Sequence, residues 1–235
     1  MITKRQSNER GHADHGWLDT RHTFSFADYN DPRFAGFRSV RVINEDWIGP
    51  GGGFGMHPHH DMEILTYPIR GALAHRDSMG NGAQVGAGEI QRMTAGTGVR
   101  HSEHNASADD TVHLLQIWIF PEARGLKPDY EQKRLPTLPN GRTDGLQEIA
   151  SRAGSEHGVR LNQDATLLRG ILGPGEVARH ELGVDRHAWV QVIEGGARLN
   201  NVELAAGDGA AVSDLSALEL EAGKDGAHLL VFDLA

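Results

Sequence analysis

Apolar positions along this chain fall in short runs bounded by glycine, proline, asparagine and aspartate, and helical periodicity is scarce over most of its length. Residues 39–47 alternate toward a strand, with Val40 and Val42 on one face, and residues 62–67 are apolar and β-prone. Residues 84–93 and 113–120 continue the set. The last of these, HLLQIWIF, is apolar on both faces, as in a strand buried inside a two-sheet sandwich. Residues 77–82 predict a hairpin turn, because Asn81 before Gly82 tolerates the left-handed conformation. One patch departs from the β pattern: residues 144–153 predict a short helix.

The last third repeats the first in weakened form. Residues 189–212 follow the same order of strand, glycine turn, strand, glycine turn and strand as residues 64–90, and HLLVFDL at 228–234 parallels HLLQIWIF. A tandem repeat of this kind predicts two small β-barrels. We assign residues 1–120 to the first and 159–235 to the second. Residues 121–158, with Pro121, Pro128, Pro136 and Pro139 among charges, form a linker or strap between them. Within it, Tyr130, Glu131, Gln132 and Lys133 read as a polar loop over a barrel rim. A length of 235 residues accommodates two such domains, and 30 glycines favour short strands with tight turns.

Charge and cysteine narrow the chemistry. A formal net charge of −9 leaves no basic surface for a phosphate backbone, so direct nucleic-acid binding is not expected. With no cysteine, disulfides, thiolate ligands and a cysteine nucleophile are all excluded, and any metal site is built from nitrogen and oxygen. The N-terminus lacks the apolar core of a signal peptide, and no run of about eighteen apolar residues occurs. A soluble cytoplasmic monomer with no membrane association is expected.

The candidate chemistry sits in two stretches, GGGFGMHPHHDME at 51–63 and GTGVRHSEHN at 96–105. His57 and His59 are separated by one residue, so on an extended strand both imidazoles leave the same face. His101 and Glu103 repeat that spacing. Two such strands facing each other make a cage of three imidazoles and a carboxylate. That donor set suits iron(II) first, and nickel, copper, manganese or zinc after it. The carboxylate is open between Glu103, which shares a strand face with His101, and Glu63, with Asp61 sharing the parity of His57 and His59; we favour Glu103. His60, His104 and Asn105 are candidates for orienting ligands or substrate. The earlier His12, His15 and His22 do not converge on one strand face and are assigned to surface or supporting positions. Their aromatic neighbours Trp17, Phe24, Phe26 and Tyr29 are assigned to plugging one end of a barrel.

These residues carry a resemblance. Gly51, five residues, His57-Pro58-His59, three residues and Glu63 resembles the first cupin motif, and Gly98, His101 and Asn105 resemble the second. The glycine that usually follows the glutamate falls one place late, at Gly71, and Gly96 stands where a proline is usual. Within the cupins, the strings HPHHDMEILTY, HSEHN and HTFSFADYNDPRF resemble the pirin family, whose bacterial members include quercetinases. The resemblance implies an all-β bicupin of two tandem jelly-roll-like barrels; the second is expected to carry no metal, because His180 in ARHEL has no second histidine two residues away and no counterpart of HSEHN follows Asp208. It implies a divalent metal held by His57, His59, His101 and Glu103. It further implies a dioxygenase that opens the heterocyclic ring of a flavonol such as quercetin with O2 and releases carbon monoxide, Glu103 accepting the 3-hydroxyl proton. The pirin resemblance also implies a different class, a metal-containing regulatory protein that binds a transcription factor or another protein partner. A third class, cupin sugar isomerases and epimerases, needs cationic side chains at the barrel mouth, for which Arg70, Arg76 and Arg100 are available.

Overall fold

The computed structural model describes all 235 residues, and its regular structure is twenty strands and two short 3-10 turns. No helix is long and apolar enough to cross a membrane. The chain divides into two compact units. The first is Gly11–Leu135 with Gly158–Gln163; the second is Met1–Arg10, Pro136–His157 and Asp164–Ala235.

After β1 (Ile2–Arg5), which belongs to the second unit, the first unit runs through β2 (Gly11–Asp14), β3 (Leu18–His22), β4 (Val40–Ile48), β5 (Gly53–His59), β6 (Glu63–Arg70) and β7 (Ala72–Asp77). It continues with β8 (Gly82–Gly86), β9 (Glu89–Thr94), β10 (Val99–Asn105), β11 (Val112–Ile119) and β12 (Asp129–Arg134). Two sheets result, one ordered β12-β9-β6-β11-β4-β3-β2 and the other β5-β10-β7-β8. The doubly apolar run at 113–120 lies in β11, which pairs with both β4 and β6, so neither of its edges meets water. Leu114, Leu115, Ile117 and Ile119 are buried there, each contributing about 1.5–3 kcal/mol of transfer free energy. Leu18, Ile48, Leu73, Val85, Val112 and Leu114 form an apolar cluster, and Ile64, Met93 and Val99 form another. Residues 77–82 form the predicted hairpin turn, but its left-handed residue is Gly80, φ 94°, rather than Asn81, and its own first residue ties it: Asp77 Oδ1 accepts the Met79 and Asn81 amides at 2.9 and 3.0 Å.

The segment 129–134 is not a rim loop. It is strand β12, paired residue for residue with β9 through Tyr130↔Met93 and Gln132↔Gln91. The predicted helix at 144–153 is likewise a strand, β13 (Leu146–Ser151). Its Leu, Gln, Glu and Ala favour a helix only weakly, and the open edge of a neighbouring strand outweighs that preference.

The short β14 (Val159–Arg160) belongs to the first unit, and the second unit adds β15 (Ala165–Leu172), β16 (Val177–Glu181), β17 (His187–Leu199), β18 (Val202–Ala205), β19 (Gly209–Val212) and β20 (Ala217–Leu234). Its sheet runs β1-β19-β17-β20-β15-β13, with β16 added on β20 and β18 on β17. Val190, Val192, Leu199, Leu218, Leu220, Leu229 and Val231 fill its core.

Candidate metal centre

Strand β10 organises the site. Its burial alternates with the sequence, so that Val99, His101, Glu103 and Asn105 point inward while Arg100 and His104 are exposed. A strand has period two, so this parity commits His101 and Glu103 to one face. On one side β10 pairs with β5, setting His101 opposite His57. The register then shifts, and Glu103 faces Phe54: Gly55 and Met56 together oppose Ser102, which is a β-bulge on β5. The bulge has a chemical consequence. The Gly55 carbonyl within it accepts a hydrogen bond from His57 Nδ1 at 2.8 Å, which fixes the tautomer and leaves the Nε2 lone pair free. β5 is the edge of its sheet, and Pro58 is tolerated there because no ladder partner needs its missing N–H.

The three imidazoles converge. Ring centroids lie 4.8 Å apart for His57 and His59, 4.5 Å for His57 and His101, and 4.9 Å for His59 and His101. One ring nitrogen from each lies within 4.8 Å of the others. A second group of the same tightness joins His101 and Glu103 to His75. Glu103 is held on both oxygens, Oε2 accepting from Gln116 Nε2 at 2.9 Å and Oε1 from Thr66 Oγ1 at 3.3 Å. Trp118 packs edge-on against His59, centroids 4.9 Å apart, and Phe26 packs against Trp118 at 5.4 Å.

The electrostatics suit a cation. Burial lowers the His59 pKa from 6.5 to about 4, with His101 and His57 adding to the effect. Burial lowers that of His101 to about 3, reinforced by His57 and His75. Both rings are therefore neutral near pH 7, the form that donates a lone pair. His101 is 1% exposed, and neither of its ring nitrogens has a hydrogen-bond partner. An unpartnered buried nitrogen costs about 1–3 kcal/mol, and a bound cation removes that cost. The three converging imidazoles thus fit a divalent ion, while Glu103 groups with His101 and His75 and not with His57 and His59.

Other candidates lie elsewhere. Glu63 is fully buried, but its Oε2 accepts from the Asn162 amide at 3.1 Å and from Asn162 Nδ2 at 3.3 Å, and it belongs to neither ligand group. Asp61 has left-handed backbone, φ 48°, and its carboxylate accepts the Gly125 amide at 2.7 Å. His60 is exposed beside Asp61. Asn105 ties down a loop, its Nδ2 donating to the carbonyls of Ile48, Gly49 and Asp110. His22 is buried against Asn44 and Phe26, and His12 pairs with Asp19. Arg100 donates to the Met56 carbonyl.

Sequence reasoning missed several neighbours. His75 is buried at the inward parity of β7, directly opposite Glu103, with Nε2 3.1 Å from Asp77 Oδ2. Burial alone would raise the Asp77 carboxyl, but bonds from Asn81, His75 and the Met79 amide hold it below the usual carboxylate range. Tyr130, placed by β12, packs its ring at a tilt of 35° with its centroid 5.1 Å from that of His75, and burial raises its pKa to about 12. Asp46 is bonded to Thr20 Oγ1 and buried, and that burial raises it to about 7, with Glu103 and Glu45 adding to the effect. The one signal for His75 was its position two residues before Asp77 in a predicted strand.

The comparisons with known proteins agree with this architecture. Residues 3–119 match the family model for pirin, and residues 148–234 match that for the quercetinase C-terminal cupin domain. A quercetin 2,3-dioxygenase of Escherichia coli K12 is 48% identical over 100% of this chain and 99% of its own. A pirin-like protein of Caulobacter vibrioides is 38% identical over the whole of both chains. Among solved structures, bacterial pirin YhhW from Escherichia coli in complex with nickel(II) superposes with a TM-score of 0.93 at 47% identity, covering 100% of this chain and 99% of that one. The two units are accordingly the two cupin domains of a bicupin, and the chain belongs to the pirin family.

Proposed function

We propose that the chain holds one divalent metal ion between His57, His59, His101 and Glu103, natively iron(II), and opens the heterocyclic ring of a flavonol such as quercetin with O2 and release of carbon monoxide. The observation that carries this reading is the convergence of three imidazoles, two of them kept neutral by burial, beside a carboxylate fixed on the same strand face as His101. The dioxygenase name of one relative and the nickel(II) complex of another support it. A nitrogen and oxygen donor set with open positions suits iron(II).

When bound, the ion supplies Lewis acidity toward a substrate hydroxyl and open coordination positions. The chain supplies the rest. The Gly55 carbonyl accepts from His57 Nδ1 and so leaves Nε2 as the donor atom of that ring. Glu103 Oε2 is committed to Gln116, so Oε1, whose contact from Thr66 is the longer one, accepts the proton of the flavonol 3-hydroxyl. Trp118 and Phe26 offer aromatic surface to a flat substrate and exclude water beside His59. The second cupin carries no ion in this reading, and its His180 is engaged by Asp233 at 2.7 Å.

Elemental analysis and an oxygen electrode test the proposal together. Metal-replete protein is expected to contain about one ion per chain and to consume quercetin with oxygen uptake, in keeping with a single open site. Alanine at His57, His59 or His101 is expected to abolish quercetin turnover, and alanine at His101 to abolish metal binding with it. Glu103→Gln should lower metal content and turnover while Glu63→Gln leaves metal in place. Loss of metal only in Glu63→Gln would move the ligand, and turnover no faster than that of free metal would remove the enzyme reading.

A further inference from the structure

The outer metal group leaves one buried imidazole unused. His75 is 1% exposed, and its ligand atom lies within 4.8 Å of those of His101 and Glu103. Tetrahedral ligands of a zinc-like ion sit about 2.0–2.2 Å from it and hence about 3.3–3.6 Å from each other, so side-chain shifts of about 1 Å close this group on a cation. His75 also has the bonding that metal-bound histidines show. Its Nε2 meets Asp77 Oδ2 at 3.1 Å, and that carboxylate is itself fixed by Asn81 Nδ2 at 2.8 Å and by two turn amides. With the Nε2 proton given to Asp77, the lone pair of His75 is on Nδ1, where it accepts a long hydrogen bond of 3.4 Å from Gln91 Nε2 that a cation would displace. His101, shared by both groups, has two buried nitrogens and no partner for either.

We propose that His75, His101 and Glu103 form a second, inner position for a divalent cation of the borderline class, such as cobalt(II), nickel(II) or zinc. The inference rests on the metal reading of the outer group, because the two positions share His101 and Glu103. Sharing makes them alternatives: one ion per chain, held outward by His57 and His59 or inward by His75. The inward position exchanges two half-exposed imidazoles for one buried imidazole braced by a carboxylate, which places the ion farther from solvent and frees the outer pair.

Cobalt(II) is the probe, followed by its visible absorption and by equilibrium dialysis. The His57→Gln/His59→Gln variant removes only half-exposed side chains. It is expected to bind one cobalt(II) per chain with a spectrum distinct from that of the wild type, and adding His75→Gln is expected to weaken that binding at least about tenfold, as loss of a ligand or its support does. A double variant that binds no cobalt(II), or a triple variant that binds as tightly as the double, overturns the inner position. Wild-type protein titrated in parallel separates the two readings. Binding by wild type alone leaves the outer site standing and the inner one refuted, and no binding by either refutes both. Should the double variant fail to fold by circular dichroism, proton spectra of cobalt(II)-loaded wild type decide. A hyperfine-shifted, exchange-protected His75 Nε2–H that vanishes in His75→Gln supports the proposal, and its absence overturns it.

Discussion

His59 and His101 are bases that folding has deprived of water, and this sets a pH signature for the metal-free chain. Burial depresses their pKa values from 6.5 to about 4 and about 3, so below pH 6.5 the unfolded chain takes up protons that the folded chain refuses. Proton uptake by the unfolded state favours unfolding. Stability of the chelator-treated protein is therefore expected to be full above pH 6.5 and to fall progressively toward pH 4, as urea titrations at stepped pH will show. His59→Gln removes one of the two proton sinks and is expected to flatten that slope, so identical slopes for variant and wild type would contradict the assignment. Residues of this kind were legible as pairs, because a one-residue spacing is itself a statement about a strand face. His75 was not legible, since a single histidine in a strand says nothing until its cross-strand partner, Glu103, is known. Glu63 stayed an open alternative for the same reason: its place in a familiar spacing did not show that Asn162, far along the chain, bonds one of its oxygens.

At the scale of elements, the site depends on how closely β5 lies on β10. Gly53 opens β5 with no room for a side chain, since a Cβ there would lie 2.5 Å from the Glu103 carbonyl oxygen and 2.5 Å from His104 Cα. Both are backbone atoms and cannot rotate away. Gly53→Ala is expected to push the strands apart at the bulge, costing about 1–3 kcal/mol of stability as overpacking does. It is also expected to weaken metal binding without removing any ligand, because His57 is aimed by that bulge. Denaturant midpoints and metal titration read the two effects, and wild-type metal affinity in a destabilised Gly53→Ala protein would separate the bulge from the site. Strands with strong alternation or doubly apolar runs, such as β4 and β11, were readable directly. β12 and β13 were not. Their polar, helix-tolerant sequences become strands only because β9 and β15 offer edges to pair with, and pairing between distant segments leaves no local mark.

At the scale of the molecule, the chain's first residues serve a unit whose other strands come from its latter part. β1 pairs with β19 from Ile2↔Val212 to Arg5↔Gly209, and Arg5 is fully buried. Lys4 Nζ sits 2.7 Å from Asp208 Oδ2, and the Ser7 amide donates to the other oxygen of the same carboxylate, also at 2.7 Å. The repeat at 189–212 announced the strands of the second cupin, but a four-residue segment reading Ile-Thr-Lys-Arg is too short and too polar to announce its destination. Deleting residues 2–10 is expected to strip the edge from β19 and remove a four-pair ladder, at about 0.5–1.5 kcal/mol net per lost hydrogen bond, and to leave an open strand edge that promotes association. All four proposed ligands lie in the other unit, so metal content per folded chain is expected to hold at the wild-type value while the urea midpoint falls and light scattering rises. A shortened chain that keeps its midpoint would make β1 dispensable to the second cupin. One that loses its metal together with its stability would mean that the metal centre depends on the second cupin, against the assignment of the site to the first alone.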